Sequence, residues 1–247
     1  MRLLDVNALH VKYGPFEAVK GVSFHLDKGE IVGIVGQSGS GKSTIAKTLV
    51  GIVKKSSGDI RVNARSVQMV FQDAVGSLNP RMTVRATLSE VLRHGKGVVG
   101  SCEPVEKRVK ALLSQVGLSE AVLDQYPREM SGGQCQRVSI ARALAFDPEV
   151  LLADEPVSAL DVSVQAKILN LLRRLRDERS LSILLIAHDL AVVKNVCDRV
   201  YVMEKGVFAD SGKCEDVFGN PKSGYTKKLL EAVPDVTRAL DARASRK

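Results

Sequence analysis

The sequence has no tryptophan, and aromatic residues make up only 4% of its 247 positions. Proteins that bind single-stranded nucleic acid stack bases on aromatic side chains, so this scarcity argues against that class. Long apolar runs are also missing. The longest uninterrupted ones are short, such as Ile183 to Ala187, whereas a bilayer-spanning helix needs about 20 apolar residues. The opening MRLLDVNALH contains no apolar core followed by a cleavage site. We therefore expect neither a membrane span nor a secretory signal.

Cysteine is scarce and its spacing carries no metal pattern. The four cysteines, Cys102, Cys135, Cys197 and Cys214, form no Cys-x-x-Cys pair, which argues against a zinc site and an iron–sulfur cluster. A chain of this length can build its core without disulfides. We expect free thiols and a reducing compartment.

Charge of one sign is in excess. Lysine and arginine outnumber aspartate and glutamate by 36 to 28, which gives a formal net charge of +8, while 45% of the residues are hydrophobic. The hydrophobic fraction is typical of a soluble globular protein. A basic balance suits nucleic acid, a membrane surface or an anionic ligand, so the charge alone does not choose among them.

Hydrophobic patterning predicts an α/β protein. The first 30 residues contain two β-rich runs on either side of a turn at Gly14 and Pro15, which indicates an antiparallel flank. Continuous apolar runs elsewhere are typical of parallel strands that are covered on both faces. The predicted parallel strands are Ile31–Val35, Val150–Ala153 and Ser182–Ala187; the predicted helices include 105–116 and 164–175, and residues 199–211 predict a hairpin that turns at Lys205-Gly206.

The segment Gly36-Gln37-Ser38-Gly39-Ser40-Gly41-Lys42-Ser43 fits the pattern G-x-x-x-x-G-K-[ST]. Its glycines let the backbone curl so that N–H groups point at phosphate oxygens, and the following helix presents its positive end to the same anion. We predict that this loop, together with the next residue Thr44, binds the phosphates of a nucleotide. Lys42 would reach the β- and γ-phosphates, and Ser43 would ligate Mg²⁺.

Two carboxylates follow a predicted buried strand. Asp154 and Glu155 come directly after Val150–Ala153, and ligands of open α/β sheets bind at the carboxyl ends of the strands. We expect Asp154 to hold Mg²⁺, directly or through water, and Glu155 to act as the general base on an attacking water. Without the phosphate loop, the same pair would be interpreted as solvated acids that open a turn before Pro156.

Further motifs resemble one family. Ser131-Gly132-Gly133-Gln134 resembles the ABC signature, and Ser158-Ala159-Leu160-Asp161 resembles the D-loop. Three single residues are placed as the family's Q-loop glutamine, switch histidine and adenine-stacking aromatic are: Gln72, His188 and Tyr13. The motifs run in the family's order over about residues 1 to 230. The chain is thereby identified as a member of the nucleotide-binding subunits of ABC transporters.

Each of those three single residues also has a purely structural interpretation. Tyr13 could be an ordinary edge-strand aromatic, Gln72 a loop amide, and His188 a cap on the helix after its strand. The resemblance instead implies that Tyr13 stacks on the nucleotide base and that His188 takes part in catalysis. It implies that Gln72 takes part in catalysis and also ligates Mg²⁺.

Two segments resemble one branch of the family, the importers of oligopeptides, dipeptides and nickel. They are Val70-Phe71-Gln72-Asp73 with Ser77-Leu78-Asn79-Pro80, and Gly224-Tyr225-Thr226-Lys227-Lys228-Leu229-Leu230. The sequence departs from the branch in three features: only 29 residues between Lys42 and Gln72, Ser223-Gly224 where His-Pro is common, and Cys135 after the signature. These departures leave the transported solute open.

The resemblance implies a P-loop NTPase core with an antiparallel β subdomain and a helical ABC insertion. The expected ATPase domain is 1–230, with its core in 1–73 and 134–215 and the helical subdomain in about 74–133; 216–247 would form a C-terminal extension with a basic tail. The resemblance also implies that two ATP molecules lie between two ATPase subunits, identical or different. The residues of the signature, Ser131, Gly132, Gly133 and Gln134, and the D-loop Asp161 would contact nucleotide across that interface.

The expected function is ATP hydrolysis, with Mg²⁺, that powers import of a peptide-like or nickel-type solute. The expected partners are a second ATPase, two membrane permeases at the cytoplasmic face and, indirectly, an extracytoplasmic solute-binding protein. A soluble ABC ATPase acting on nucleic acid or the translation machinery would suit the basic charge. Such proteins usually carry two ATPase units or a long coiled-coil insertion, and this sequence has neither, so we expect no nucleic-acid partner. A sensor that does not hydrolyse ATP would not need Glu155 and His188.

Overall fold

The computed structural model describes residues 1–94 and 103–232, which form both strands and helices. Over these residues the strands are β1 (Arg2–Tyr13), β2 (Phe16–Asp27), β3 (Ile31–Val35), β4 (Ser57–Val62), β5 (Val67–Val70), β6 (Val150–Asp154), β7 (Ser182–Ala187), β8 (Arg199–Glu204) and β9 (Val207–Lys213). The helices are α1 (Lys42–Leu49), α2 (Val84–His94), α3 (Val105–Gln115), α4 (Gly132–Leu144), α5 (Val162–Arg179), α6 (Leu190–Val196), α7 (Cys214–Gly219) and α8 (Gly224–Glu231).

The amino-terminal strands form the predicted antiparallel flank. β1 pairs with β2 through a tight turn that places Tyr13 opposite Phe16, and β4 joins the other edge of β1, so the order is β2-β1-β4. Strand β4 was not predicted from the sequence. Its residues are mostly exposed and polar, so it lacks the alternation that identifies a half-buried strand.

The predicted apolar strands lie in a second sheet of the order β5-β6-β7-β3-β8-β9. Its first five strands are parallel, and β9 returns antiparallel to β8 through the expected turn at Lys205 and Gly206. Successive residues of β3 alternate between two cores, with Ile31 and Val35 on one face and Val32 and Ile34 on the other. Both faces are therefore buried, which explains why the strand sequences read as continuous apolar runs.

The two cores define the layers. One core lies between the parallel sheet and helices α2 to α6, and the other lies between the parallel sheet, α1 and the antiparallel sheet. This architecture confirms the predicted α/β class with an antiparallel β portion and a helical insertion. The insertion after β5 contains α2 and α3, which pack on α4 through residues such as Leu88, Val109 and Leu113.

Element boundaries differ from the predicted ones by a few residues. Helix α3 ends one residue before the predicted 105–116, at Gln115. Helix α4 begins at Gly132 because Ser131 caps it. The strand predicted at Val150–Ala153 is one residue longer and ends at Asp154. The helix predicted at 164–175 is the longer α5, which begins directly after Asp161 because the Asp161 carboxylate accepts the Val164 N–H.

Two features of the sequence lie outside the residues that the structure describes. They are the basic tail after about residue 233 and Cys102. Within the described ranges, no helix combines the length and the apolarity needed to cross a bilayer.

Candidate functional site

The phosphate loop connects the buried strand β3 to helix α1, and two of its glycines are required by close packing. A side chain at Gly36 would place a Cβ 2.1 Å from the Met203 carbonyl oxygen. Gly41 has φ +110°, and a Cβ there would lie 2.4 Å from the carbonyl oxygen of Ala18. Left-handed backbone of this kind strongly favours glycine. The sequence pattern therefore reflects the shape of the loop, which curls under the first residues of α1.

The side chain of Lys42, the first residue of α1, folds back into this loop, and the residue is 3% exposed. Its Nζ donates hydrogen bonds to the carbonyl oxygens of Gly36 and Gln37, at 2.7 and 2.8 Å. Burial lowers the pKa of this ammonium group, and the carboxylates of Glu155 and Asp154 oppose that effect. A buried cation at the amino end of a helix, inside a curl of backbone, is suited to a polyphosphate.

Ser43 and Asp154 form a pair of oxygen ligands beside Lys42. The Ser43 hydroxyl donates to Asp154 Oδ1 at 2.8 Å. Asp154 is 3% exposed, and burial raises the pKa of its carboxyl group; the Ser43 hydrogen bond opposes this shift and the nearby Glu155 adds to it. A hydroxyl and a carboxylate are oxygen ligands of the type that Mg²⁺ prefers, so these two side chains fit the ion that the resemblance implies.

The Glu155 carboxylate is the meeting point of the three residues predicted to be catalytic. Gln72 Nε2 donates to Glu155 Oε2 at 2.9 Å, and His188 Nδ1 lies 3.7 Å from the same oxygen. Glu155 has φ +45°, a left-handed conformation that costs energy for a residue with a side chain and concentrates at functional sites. Its N–H donates to the Ile186 carbonyl oxygen at 3.0 Å, which holds the strained turn on β7.

These groups line one cavity of about 570 Å³, a volume within the range of small-molecule sites. Its walls contain Tyr13, Gln37, Ser38, Gly39, Gly41, Lys42, Ser43, Thr44, Gln72, Glu155 and His188. Gly36, Ser40 and Asp154 are buried around it. Most of the predicted nucleotide-binding residues are thus brought together in a single chain.

Two lining residues were missed by the sequence analysis, Phe16 and Ala18. Phe16 is 62% exposed and Tyr13 is 47% exposed, and the two face each other across the β1–β2 turn. Exposed aromatic rings beside a cavity are suited to stacking on a planar base. The sequence did offer a sign of Phe16, because Tyr13 and Phe16 flank the predicted turn at Gly14-Pro15.

The signature residues lie apart from this cavity. Ser131 and Gln134 cap α4 reciprocally: Ser131 Oγ accepts the Gln134 N–H at 3.2 Å, and Gln134 Oε1 accepts the Ser131 N–H at 2.9 Å. Gly133 packs so closely on α5 that an added Cβ would lie 2.5 Å from Val164 Cγ1. Among the described residues that line the phosphate-loop cavity, none belongs to the signature.

A second cavity, of about 390 Å³, connects the two regions, because Gln72 and Glu155 line it together with Gly132 of the signature and Leu160 of the D-loop. Asp161 lies just beyond, where its Oδ1 accepts from the Val164 N–H at 3.0 Å and from Ser163 Oγ at 2.7 Å. Asp161 and the phosphate-loop cavity are thus not brought together within the described part of one chain.

The chain is similar to known proteins in sequence and in fold. A sequence model of the family described as "ABC transporter" matches residues 19–158. The chain is 46% identical over 235 residues to the oligopeptide transport ATP-binding protein OppF of Escherichia coli K12, and the match covers 88% of this chain and 70% of the relative. It is 43% identical over 245 residues to OppF of Haemophilus influenzae, with coverage of 93% and 74%.

Two solved structures show the same fold. One is cbiO1 from Clostridium perfringens, described as part of the ABC transporter complex cbiONQ, with a TM-score of 0.80, 29% identity, and coverage of 97% of this chain and 99% of that one. The other is the ATP-binding cassette MJ0796, solved as a dimer in a post-hydrolysis state with ADP and Pi. Its TM-score is 0.76 at 29% identity, with coverage of 85% and 98%.

Proposed function

The chain belongs to the ABC transporter family, and on that premise we propose that it is the ATP-hydrolysing subunit of an oligopeptide importer. The observation that carries the catalytic part is the convergence of Gln72 and His188 on the Glu155 carboxylate, in the cavity that Lys42 and Ser43 line. The solute class is supported by the relatives named oligopeptide transport ATP-binding proteins.

ATP would bind with its phosphates in the loop from Gly36 to Thr44 and its base against Tyr13 and Phe16. The loop's backbone N–H groups and the amino end of α1 attract the phosphates, and Lys42 adds a full positive charge. Lys42 donates to neutral carbonyl oxygens, and phosphate oxygens are stronger acceptors because charge-assisted hydrogen bonds are roughly twice as strong.

Ser43, Asp154 and Gln72 would hold Mg²⁺. When bound, the ion neutralises developing phosphate charge and polarises the transferred phosphoryl group. The Asp154 carboxylate is buried beside Lys42, and burial opposes its ionisation, so a divalent cation would restore the charged form.

Glu155 would accept a proton from the attacking water. Gln72 positions the Glu155 carboxylate through the 2.9 Å hydrogen bond, and His188 lies within reach of the same oxygen. Glu155 has a strained backbone conformation, and it lines the same cavity as the phosphate loop. A general base in this place contributes about 10²–10⁴ to the rate.

A second ATPase subunit would complete the site. The signature residues lie at the amino end of α4 and away from the chain's own phosphate loop, so their N–H groups and helix dipole are free to face the nucleotide of a partner. The dimer solved for MJ0796 supports the pairing. Attachment to permeases at the cytoplasmic face, chiefly through residues between about 73 and 101, belongs to the same proposal; residues 95–101 of this segment lie outside the described residues. So does the division into an ATPase core of 1–73 and 134–215, a helical subdomain of about 74–133 and a C-terminal extension of 216–247.

Peptide uptake tests the proposal. In cells that lack this chain but keep its permeases and partner ATPase, uptake of a labelled tripeptide should be lost, wild-type chain should restore it, and Glu155→Gln should not. Nickel uptake measured in the same cells separates the two solutes of the branch. Peptide uptake that does not depend on the chain would contradict the importer assignment. The relatives compared are transport proteins, so the nucleic-acid alternative has no support from them.

A further inference from the structure

The C-terminal helix α8 touches the phosphate loop through one hydrogen bond. The backbone N–H of Gln37 donates to the hydroxyl oxygen of Tyr225 at 3.2 Å, across 188 positions of sequence. The other side of the same residue is also held, because the Gln37 carbonyl oxygen accepts from Lys42 Nζ at 2.8 Å and from the Ser40 N–H at 3.2 Å. Gln37 is therefore fixed from inside the loop by Lys42 and from outside it by Tyr225.

A chain of polar contacts ties Tyr225 to the sheet. Asp210, a buried residue of β9, accepts from the N–H groups of Lys222 and Ser223 with Oδ2, at 2.9 and 3.3 Å. Ser223 Oγ then accepts the Tyr225 N–H at 3.1 Å and caps α8. These bonds set the start of the helix relative to β9, and with it the direction of the Tyr225 side chain.

Apolar packing holds the remainder of α8 in place. The side chains of Tyr225, Leu229 and Leu230 pack against the main core, and Thr226 is fully buried. The helix is thus docked along its apolar face, so the Tyr225 hydroxyl is a fixed acceptor and not a mobile one.

The phosphate loop needs such an anchor because three of its eight residues are glycines, whose backbone has the greatest freedom to lose. We propose that Tyr225 is a positioning residue for ATP binding: its hydroxyl oxygen fixes the Gln37 peptide in the curled loop, so that the C-terminal extension sets the affinity for nucleotide. The proposal rests on the proposed function, because it assumes that the loop binds ATP. Tyr225 acts through Gln37, and its effect is on binding, since it lies outside the group around Glu155.

The test compares Tyr225→Phe with a matched control, Tyr201→Phe, in the full chain. Both variants remove a hydroxyl that accepts a backbone N–H from a distant segment, since the Tyr201 hydroxyl accepts from His25 at 3.5 Å. A net hydrogen bond changes an equilibrium by roughly three- to tenfold. In Tyr225→Phe the Kd for a non-hydrolysable ATP analogue with Mg²⁺ should rise by that factor, and hydrogen exchange of the Gln37 amide should accelerate similarly. Tyr201→Phe should change neither.

Steady-state kinetics with the partner ATPase give a readout that a loss of stability would not produce. Tyr225→Phe should raise KM for ATP about as much as Kd and leave kcat within about twofold of wild type. An unchanged Kd, an unchanged Gln37 exchange rate, or equal effects in Tyr201→Phe would each overturn the proposal.

Lys42→Ala, measured in parallel, distinguishes a failure of the Tyr225 proposal from a failure of the phosphate-loop assignment. If Lys42→Ala loses affinity while Tyr225→Phe does not, only the role of Tyr225 is wrong. If neither variant loses affinity, the assignment of the phosphate loop is wrong, and the role of Tyr225 falls with it.

Discussion

Single residues at the proposed nucleotide site are held in states that cost the protein stability. Burial lowers the pKa of the Lys42 ammonium and raises the pKa of the Asp154 carboxyl, so the fold opposes the charged form of both groups. Glu155 adds backbone strain at φ +45°. Such costs are retained at functional sites because the ligand makes use of them.

Lys42→Ala should weaken ATP binding by at least about tenfold, because a charge-assisted hydrogen bond to phosphate is worth about 1.5–3 kcal/mol. The fold should remain intact, since the ammonium bonds only to carbonyls of its own loop among the described residues. Calorimetric titration with ATP measures the affinity, and circular dichroism checks the fold. Unchanged affinity would reject the assignment of the loop.

Asp154→Asn should stabilise the nucleotide-free chain at neutral pH while abolishing Mg²⁺-dependent turnover. The pKa of Asp154 in the fold lies above its ordinary value of 3.8, so the folded state binds this proton more tightly than the unfolded state does. Asp154 therefore contributes stability below the ordinary pKa, and that contribution is lost as pH rises through the raised one. Asparagine does not titrate and keeps an oxygen for the Ser43 hydroxyl.

Thermal unfolding as a function of pH checks this prediction. The Tm of Asp154→Asn should exceed that of wild type at neutral pH, and the difference should shrink as pH is lowered toward 3.8. A variant that is less stable at neutral pH, or a Tm difference that is independent of pH, would show that burial of the carboxylate is not a net cost.

The parts of the proposed site that can be recognised in the sequence are those encoded by a short segment. The phosphate loop and the pair Asp154-Glu155 were visible because glycine spacing and strand-end carboxylates are features of a short segment. The contacts of Glu155 with Gln72 and His188 and the bond from Gln37 to Tyr225 bring together distant segments. A single sequence records no such distances.

At the scale of elements, helix starts are determined by their caps. Ser131 begins α4 and Asp161 begins α5, each by accepting an N–H three residues ahead. The Ser163 hydroxyl bond and the Val164 N–H hold the pKa of Asp161 below its ordinary value. Both caps place signature and D-loop residues at helix ends, where their backbone can meet a partner's nucleotide.

Asp161→Ala should lower the free energy of unfolding by about 1 kcal/mol, the usual value of an N-cap. The cap bond to the Val164 N–H would be lost, and the first turn of α5 would fray. Urea unfolding of the single chain measures the change, with Ser163→Ala as the control because it removes a contact to Asp161 but leaves the cap. Equal stability of wild type and Asp161→Ala would mean that packing of α5 alone fixes its start.

Elements with strong apolar patterns were predicted well, and elements on the margins were not. β3 and β7 have the predicted bounds because their residues are buried on both faces. β4 was missed because it is an exposed edge strand, and it is held by pairing with β1 rather than by its own pattern. The interval between Lys42 and Gln72 thus contains two short strands, β4 and β5, which belong to different sheets.

At the scale of the whole molecule, the strand order β5-β6-β7-β3-β8-β9 is what assembles the site. It places β3, β6 and β7 side by side, so that the phosphate loop, the two carboxylates and His188 all leave the same edge of the sheet. The sequence predicted the strands but could not give their order, since the order depends on long-range pairing. The separation of the signature from this edge is the reason that we propose a second subunit.

Docking to permeases is testable by site-directed cross-linking. A single cysteine at Val75, which is 48% exposed, should cross-link to a permease loop, and one at Lys205 in the β8–β9 turn should not. Cys102→Ser gives a suitable background, because Cys135, Cys197 and Cys214 are buried and burial raises the pKa of each of these thiols. Cross-links from Lys205 alone would show that the permeases do not dock on the segment that contains Val75.

We propose above all that Glu155 is the general base of an ATPase that works as a dimer. The most direct test is the ATPase rate of Glu155→Gln with the cognate partner subunit, measured together with the size of the complex. Glutamine keeps the shape and hydrogen bonding of the side chain but cannot take a proton, so turnover should fall by about 10²–10⁴. Lys42, Ser43 and Asp154 remain, so Mg-ATP should still bind and the closed dimer should accumulate on size exclusion. Near-normal turnover in this variant would show that the base lies elsewhere.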